Sequence, residues 1–105
     1  MIQIYSVIVT YNAMRSGWIE KCLTSLQNST VQVKAIVIDN GSTDSTCDYV
    51  PNAFPDVIWI PQNKNLGFGQ ANNIGIKYAL KKNADYVLLL NQDATISEKC
   101  IAQLL

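Results

Sequence analysis

Two runs of apolar residues each stop at a carboxylate: Val37-Ile38-Asp39-Asn40-Gly41-Ser42-Thr43-Asp44 and Leu88-Leu89-Leu90-Asn91-Gln92-Asp93. A buried parallel strand that ends in Asp presents the charge at its carboxyl end, where open α/β sheets bind ligands. Two such carboxylates in one short chain point to a shared site. Asp39 can accept a hydrogen bond from a ribose hydroxyl or a base imide, or close a local Asx-turn. Asp93 can hold a divalent cation whose other ligands are phosphate oxygens and water. The turn Gly41-Ser42-Thr43-Asp44 leads toward a helix, and its free N–H groups suit either an internal cap, the favoured reading, or a phosphate. Asn65-Leu66-Gly67-Phe68-Gly69-Gln70-Ala71-Asn72-Asn73 joins small residues to amides able to grip a polar ligand, or is a glycine-relaxed helix start. It lacks the dinucleotide fingerprint, because Asn72 occupies the third glycine position and the segment follows the third strand.

The chain has no histidine, which removes His-based nucleophile activation, a His general base and most zinc-site patterns. Catalysis or metal binding then falls to carboxylates, whose hard oxygens favour Mg²⁺ or Mn²⁺. Cys22, Cys47 and Cys100 show no close pairing and read as reduced thiols.

These residues need a scaffold, and the hydrophobic pattern supplies one. Ile4 to Val9, Val33 to Ile38, Val57 to Ile60 and Tyr86 to Leu90 read as strands. Ile19, Cys22, Leu23 and Leu26 share one helical face, as do Ala71, Ile74, Gly75, Tyr78 and Ala79. Thr43 to Val50, started by Ser42 or Thr43, and Ser97 to Leu105 are the remaining expected helices. The resulting β-α-β-α-β-α-β-α order predicts a Rossmann-like α/β fold, a parallel sheet with helices on both faces. Thr10-Tyr11-Asn12, Asp39 to Asp44, Asn63 to Gly69 and Asn91 to Asp93 would all follow strand carboxyl ends and meet along one edge of the sheet.

Composition narrows the partners. With 105 residues, 49% hydrophobic and 15% charged, the chain reads as one globular domain. Eight basic residues balance eight acidic ones, so no electrostatic footprint for nucleic acid is present. No apolar stretch approaches the roughly 20 residues that span a bilayer. Met1-Ile2-Gln3-Ile4 lacks the features of a signal peptide, and a cytoplasmic location is expected.

Val7-Ile8-Val9-Thr10-Tyr11-Asn12, the Asp39 to Asp44 stretch, Asn65-Leu66-Gly67-Phe68-Gly69 with Asn72 and Gly75, and Leu88 to Asp93 resemble the successive motifs of family 2 glycosyltransferases with the GT-A fold. The resemblance covers nearly the whole chain, in order. It implies transfer of a sugar, with inversion, from a nucleoside diphosphate donor to a glycan or lipid-linked acceptor in cell-surface polysaccharide biosynthesis. It further implies that Thr10 and Asn12 line the base pocket, Asp39 contacts base or ribose, Asp44 orders the nucleotide loop, and Asp93 holds the metal within a D-x-D motif. The nucleotide-sugar site would comprise Thr10, Tyr11, Asn12, Asp39, Asn40, Ser42, Asp44, Asn65, Gly67, Phe68, Gly69, Asn72, Asn91 and Gln92, with Mg²⁺ or Mn²⁺ on Asp93.

Two departures qualify that expectation. Asn91 replaces the first carboxylate of the D-x-D motif, leaving an amide oxygen and a weaker pull on a cation. N-x-D beside N-L-G-F-G is similar to rhamnosyltransferase-like members that use dTDP-rhamnose. Family members also run well beyond this length, and their second half provides the acceptor pocket and the acidic general base, for which no residue here can be assigned. The reading is of a nucleotide-binding half, truncated at Leu105, inactive alone and peripheral to the inner membrane face in the longer protein. Apolar Ile101, Leu104 and Leu105 and an unpaired edge at Tyr86 to Leu90 would favour a homodimer. A non-catalytic nucleotide-binding module and a self-assembling structural domain are the competing readings.

Overall fold

A computed structural model describes residues 1–105. Strands β1 (Ile4–Thr10), β2 (Lys34–Asp39), β3 (Ile58–Pro61) and β4 (Tyr86–Asn91) alternate with helices α1 (Trp18–Gln27), α2 (Thr46–Ala53), α3 (Phe68–Lys81) and α4 (Cys100–Leu104). All neighbouring strands pair in parallel, in the order β3-β2-β1-β4. The chain builds outward from β1 through β2 to β3, then crosses by α3 to the other side of β1. That reversal creates a crevice beyond the strand ends, the position at which open α/β sheets take ligands.

Burial explains the strand sequences. Every residue of β1 is buried, because it lies inside the sheet with helices on both faces. On one face Ile8 and Val37 pack with Ile19, Cys22, Leu23 and Leu26 of α1 and with Val50 of α2. On the other, Tyr5, Val7, Val9, Ile36 and Ile38 pack with Ala71 and Ala79 of α3. The closest approach is at Gly75, where an added Cβ would lie 2.4 Å from a methyl of Val7. Gly75 is therefore the residue that lets α3 settle on the sheet.

Register sets the height of the functional edge. Thr10 stands opposite Asp39, Asp39 opposite Pro61, and Val9 opposite Asn91. Asp39 and Asn91 are thus the last residues of their strands, which run one position further than the ends at Ile38 and Leu90 that the sequence pattern suggests. Backbone pairing runs on because Asn40 N–H donates to the Thr10 carbonyl and Gln62 N–H to that of Asp39.

Helix boundaries also move. α3 begins at Phe68, three residues before the expected stripe, because Gly67 takes a left-handed φ of 84° and its carbonyl accepts from Ala71 N–H. α4 begins at Cys100 rather than Ser97, since the Glu98 carbonyl is taken by Thr30 N–H at 2.8 Å and is lost to the helix. α2 begins at Thr46 rather than Thr43, for a reason that lies in the site.

Three substitutions test this packing by thermal or denaturant unfolding. Gly75→Ala gains about 1 kcal/mol of helix propensity but forces overpacking that costs roughly 1–3 kcal/mol, so a net loss is expected. Gly69→Ala, where an added Cβ meets nothing within 4 Å, stabilises by about 0.5–1 kcal/mol. Ser6→Ala removes the only buried side-chain hydroxyl without a partner and is expected to stabilise by about 1 kcal/mol.

Candidate functional site

A buried carboxylate needs donors, and Asp39, only 1% exposed, has four. Thr10 donates its hydroxyl to Oδ1 at 2.8 Å, and Ser42 donates its hydroxyl to the same oxygen at 2.6 Å. Ser42 N–H reaches Oδ2 at 2.9 Å, and the Cys47 thiol completes the set at 3.4 Å. The short turn from Asp39 to Ser42 depends on Gly41, whose φ is 81° and whose missing Cβ would strike the Lys64 backbone at 2.8 Å.

From Ser42 the network passes to the loop after β1. Asn12, itself left-handed at φ 46°, donates its N–H to Ser42 Oγ at 2.9 Å. Its Oδ1 accepts from Thr43 N–H at 2.8 Å and from Asp44 N–H at 3.3 Å. Asp44 in turn accepts from Thr46 N–H at 2.9 Å, from the Thr46 hydroxyl, and from Met14 N–H at 3.3 Å. Thr46 Oγ1 accepts from Ala13 N–H at 2.9 Å, closing the circuit. Each free N–H of residues 42–44 is thereby consumed, so the turn is capped from within and α2 starts only at Thr46. Of the two readings of this turn, internal capping is the one the geometry bears out. For Asp44, partial burial pulls the pKa up, but the bonds from Thr46 and Met14 outweigh it and hold the carboxyl below its usual 3.8.

A second clamp fixes the loop before α3. Asn40 accepts from Leu66 N–H at 2.9 Å and donates to the Gly67 carbonyl at 3.2 Å. Asn65 accepts from Gly67 N–H at 2.8 Å, an Asx-turn. Gln92 joins the loop after β1 to the end of β4, accepting from Tyr11 N–H at 2.9 Å and donating to its carbonyl at 3.3 Å. Its side-chain amide thus extends the β1–β4 pairing by one rung.

Between these clamps lies a cleft of about 320 Å³, bounded by Val9, Tyr11, Asn40, Asn65, Phe68, Asn91, Gln92 and Asp93. The volume is in the range of small-ligand sites. Asp93 is exposed and lines the mouth beside Asn91, and neither side chain is spent on an internal hydrogen bond. Behind them the Cys22 thiol donates to the Asn91 carbonyl at 3.6 Å. Burial, aided by the charge of Asp93, pushes that thiol up to about 12, so Cys22 stays protonated. A cavity of about 390 Å³, lined by residues including Leu23, Phe54 and Ile58, sits away from these residues and carries none of the candidate groups.

The sequence-derived residues therefore divide. Tyr11, Asn40, Asn65, Phe68, Asn91, Gln92 and Asp93 line the cleft. Thr10, Asn12, Asp39, Ser42, Asp44 and Gly67 stand behind it and hold its loops. Gly69 lies on the exposed first turn of α3. Asn72 is turned inward, 6% exposed, with its amide on the Phe68 carbonyl at 3.2 Å, and it is not brought to the cleft. Val9, Thr46 and Cys47 escaped the sequence reading; only the T-D-S-T spacing of Asp44 and Thr46 offers a signal, that of an Asx cap.

Two consequences are measurable. Thr10→Val removes a donor from a buried carboxylate and is expected to cost about 1.5–3 kcal/mol in denaturant unfolding. Because the folded-state pKa of Asp44 is lowered, its contribution is present above about pH 4 and lost as pH falls through the folded value. Asp44→Asn should thus be less stable than the parent at pH 7, with the gap closing below about pH 4.

Comparison with known proteins agrees with this architecture. The model of the family described as Glycosyl transferase family 2 matches residues 6–105. The chain is 33% identical over 101 residues to a dTDP-rhamnosyl transferase, RfbF, of Shigella flexneri, covering 96% of this chain and 33% of that protein. It is 38% identical over 68 residues to an N-acetylglucosaminyl-diphospho-decaprenol L-rhamnosyltransferase of Mycobacterium tuberculosis, covering 64% of this chain and 22% of the relative. Among solved structures, S. aureus TarS residues 1–349 superpose with TM-score 0.83 at 22% identity, covering 98% of this chain and 31% of that one. The mannosyltransferase PcManGT of Pyrobaculum calidifontis, in complex with GDP-Man and Mn²⁺, gives 0.81 at 21% identity, covering 95% and 30%. Those likenesses show a shared GT-A fold. The chain spans about a third of the length of the Shigella flexneri protein and less of the Mycobacterium tuberculosis one. With residues 6–105 matched in motif order, the chain belongs to glycosyltransferase family 2.

Proposed function

We propose that this chain is the nucleotide-sugar-binding part of an inverting glycosyltransferase, with a nucleoside diphosphate sugar as donor and a glycan or lipid-linked acceptor. The observation that carries this reading is the unequal fate of the carboxylates. Asp39 and Asp44 are saturated by internal donors, while Asp93 stands uncommitted at the mouth of a cleft at the sheet's switch point. The relatives named as rhamnosyltransferases support dTDP-rhamnose as the donor, and the PcManGT complex supports a divalent cation.

The residues present fit such a cation in a particular way. No group of three or more His, Cys, Asp or Glu residues is placed to hold a metal ion. Asp93 and the Asn91 amide oxygen are two hard donors, which suit Mg²⁺ or Mn²⁺ when the diphosphate completes the shell. A cation there would neutralise charge on the leaving diphosphate. Tyr11 and Phe68 offer aromatic walls to the nucleoside, and the Asn40 clamp keeps Asn65 and Phe68 in place. Asp39, buried and held by internal donors, serves the nucleoside by fixing the loops after β1 and β2 that border the cleft.

No helix is long and apolar enough to cross a membrane. The reading places the enzyme at the cytoplasmic side, working on cell-surface polysaccharide. β4 has a single strand partner, and Tyr86, Leu89, Leu104 and Leu105 are exposed beside it. That face supports pairing of two copies.

Calorimetric titration tests the metal assignment. Mn²⁺ alone should bind weakly, and dTDP with Mn²⁺ at least tenfold more tightly than dTDP with chelator, since cation and diphosphate complete one another. Asp93→Asn should abolish that difference. Equal affinity for dTDP in chelator and in Mn²⁺, in the parent chain, would overturn Asp93 as the metal-holding residue.

A further inference from the structure

A second cleft, of about 270 Å³, opens on the other side of Tyr11 and Gln92, bounded also by Asn12, Ala13, Arg15 and Trp18. We infer that this cleft binds a phosphorylated sugar beside the donor, with Trp18 and Tyr11 against the sugar ring and Arg15 on the phosphate. Three observations carry the inference.

The first is aromatic exposure. Trp18 is 41% and Tyr11 45% exposed, although both are large side chains in the opening turns that lead into and out of a well-packed core. Exposed aromatic faces stack on the C–H faces of a pyranose while their polar edges stay in water. The second is the allocation of hydrogen bonds. Gln92 spends both ends of its amide on the Tyr11 backbone, and Asn12 spends its oxygen on Thr43 and Asp44. Those amides make the walls rigid and leave Arg15, exposed, as the one charged residue that lines the cleft. A guanidinium fork matches a phosphate bidentately, so the ligand expected is an anion and not a neutral sugar.

The third is backbone conformation. Between Arg15 and Trp18 the chain takes two successive left-handed residues, Ser16 at φ 56° and Gly17 at φ 67°. Ser16 is not a glycine, and a left-handed non-glycine residue is held there only by its surroundings. This kink turns the chain into α1 so that Arg15 and Trp18 border the same cleft. Its place beside the donor rests on the proposed function, through the wall that Tyr11 and Gln92 share between the two clefts. Binding at the cleft stands or falls separately.

The test is titration of the 105-residue chain with glucose 1-phosphate, inorganic phosphate or methyl glucoside, following the two indole N–H resonances by NMR. Trp59, in β3 on the far side of the sheet, is the internal reference. The inference expects a saturable shift of Trp18 and not of Trp59 with glucose 1-phosphate, at least tenfold weaker with Arg15→Gln and partly restored with Arg15→Lys. Inorganic phosphate and methyl glucoside should each bind at least tenfold more weakly, and saturating dTDP with Mn²⁺ should leave the glucose 1-phosphate shift in place. No saturable Trp18 shift, an equal response to inorganic phosphate, an unchanged affinity in a folded Arg15→Gln, or displacement by dTDP would each overturn it. A chain that fails to bind dTDP yet gives the Trp18 response would refute the donor reading and leave this cleft standing.

Discussion

The structure turns on the cost of burying one charge. Asp39 is almost fully enclosed at the end of β2, and a carboxylate taken from water without donors would unfold the edge it sits on. Its four donors come from β1, from the turn that follows β2 and from α2. Satisfying it therefore ties three elements together. Ser42, held by Asp39, receives Asn12; Asn12 fastens Thr43 and Asp44; Asp44 holds Thr46; and Thr46 returns to Ala13. The loops after β1 and β2 become one body whose geometry is fixed before any ligand arrives, the preorganisation that a binding site needs.

Asp93 stands in contrast. It follows an edge strand rather than a central one, so solvent and not protein meets its oxygens. The same residue type thus does opposite work at two strand ends: one carboxylate organises the scaffold, the other is left to a ligand. What separates them is their place in the strand order β3-β2-β1-β4. Gly75 matters to that placement, because α3 crosses from β3 to β4 and must lie against Val7 to do so.

Much of this was legible in the residues. The i, i+3, i+4, i+7 spacing of Ile19, Cys22, Leu23 and Leu26 marked the buried face of α1, and all four are buried. The apolar runs marked four strands, and the polar residues after them marked the functional edge. What the pattern does not carry is hydrogen-bond competition. Thr43 and Asp44 have ordinary helix-start chemistry, yet Asn12, some 30 positions away, takes their N–H groups and delays α2. Asn72 reads as a ligand-gripping amide, but its place on the inner face of α3 turns it to the Phe68 carbonyl. Arg15 and Trp18 look like surface residues until the left-handed pair between them sets both along one cleft.

The claim that the carboxylates divide their labour is tested most directly by paramagnetic broadening of backbone amide resonances when Mn²⁺ is added to the dTDP-bound chain. The account predicts the strongest losses at residues 91–94, with weaker losses at 65–69 across the cleft and the weakest in the turn at 42–46. Strongest broadening at Ser42 to Thr46 would place the cation on Asp44 and contradict the assignment of Asp93.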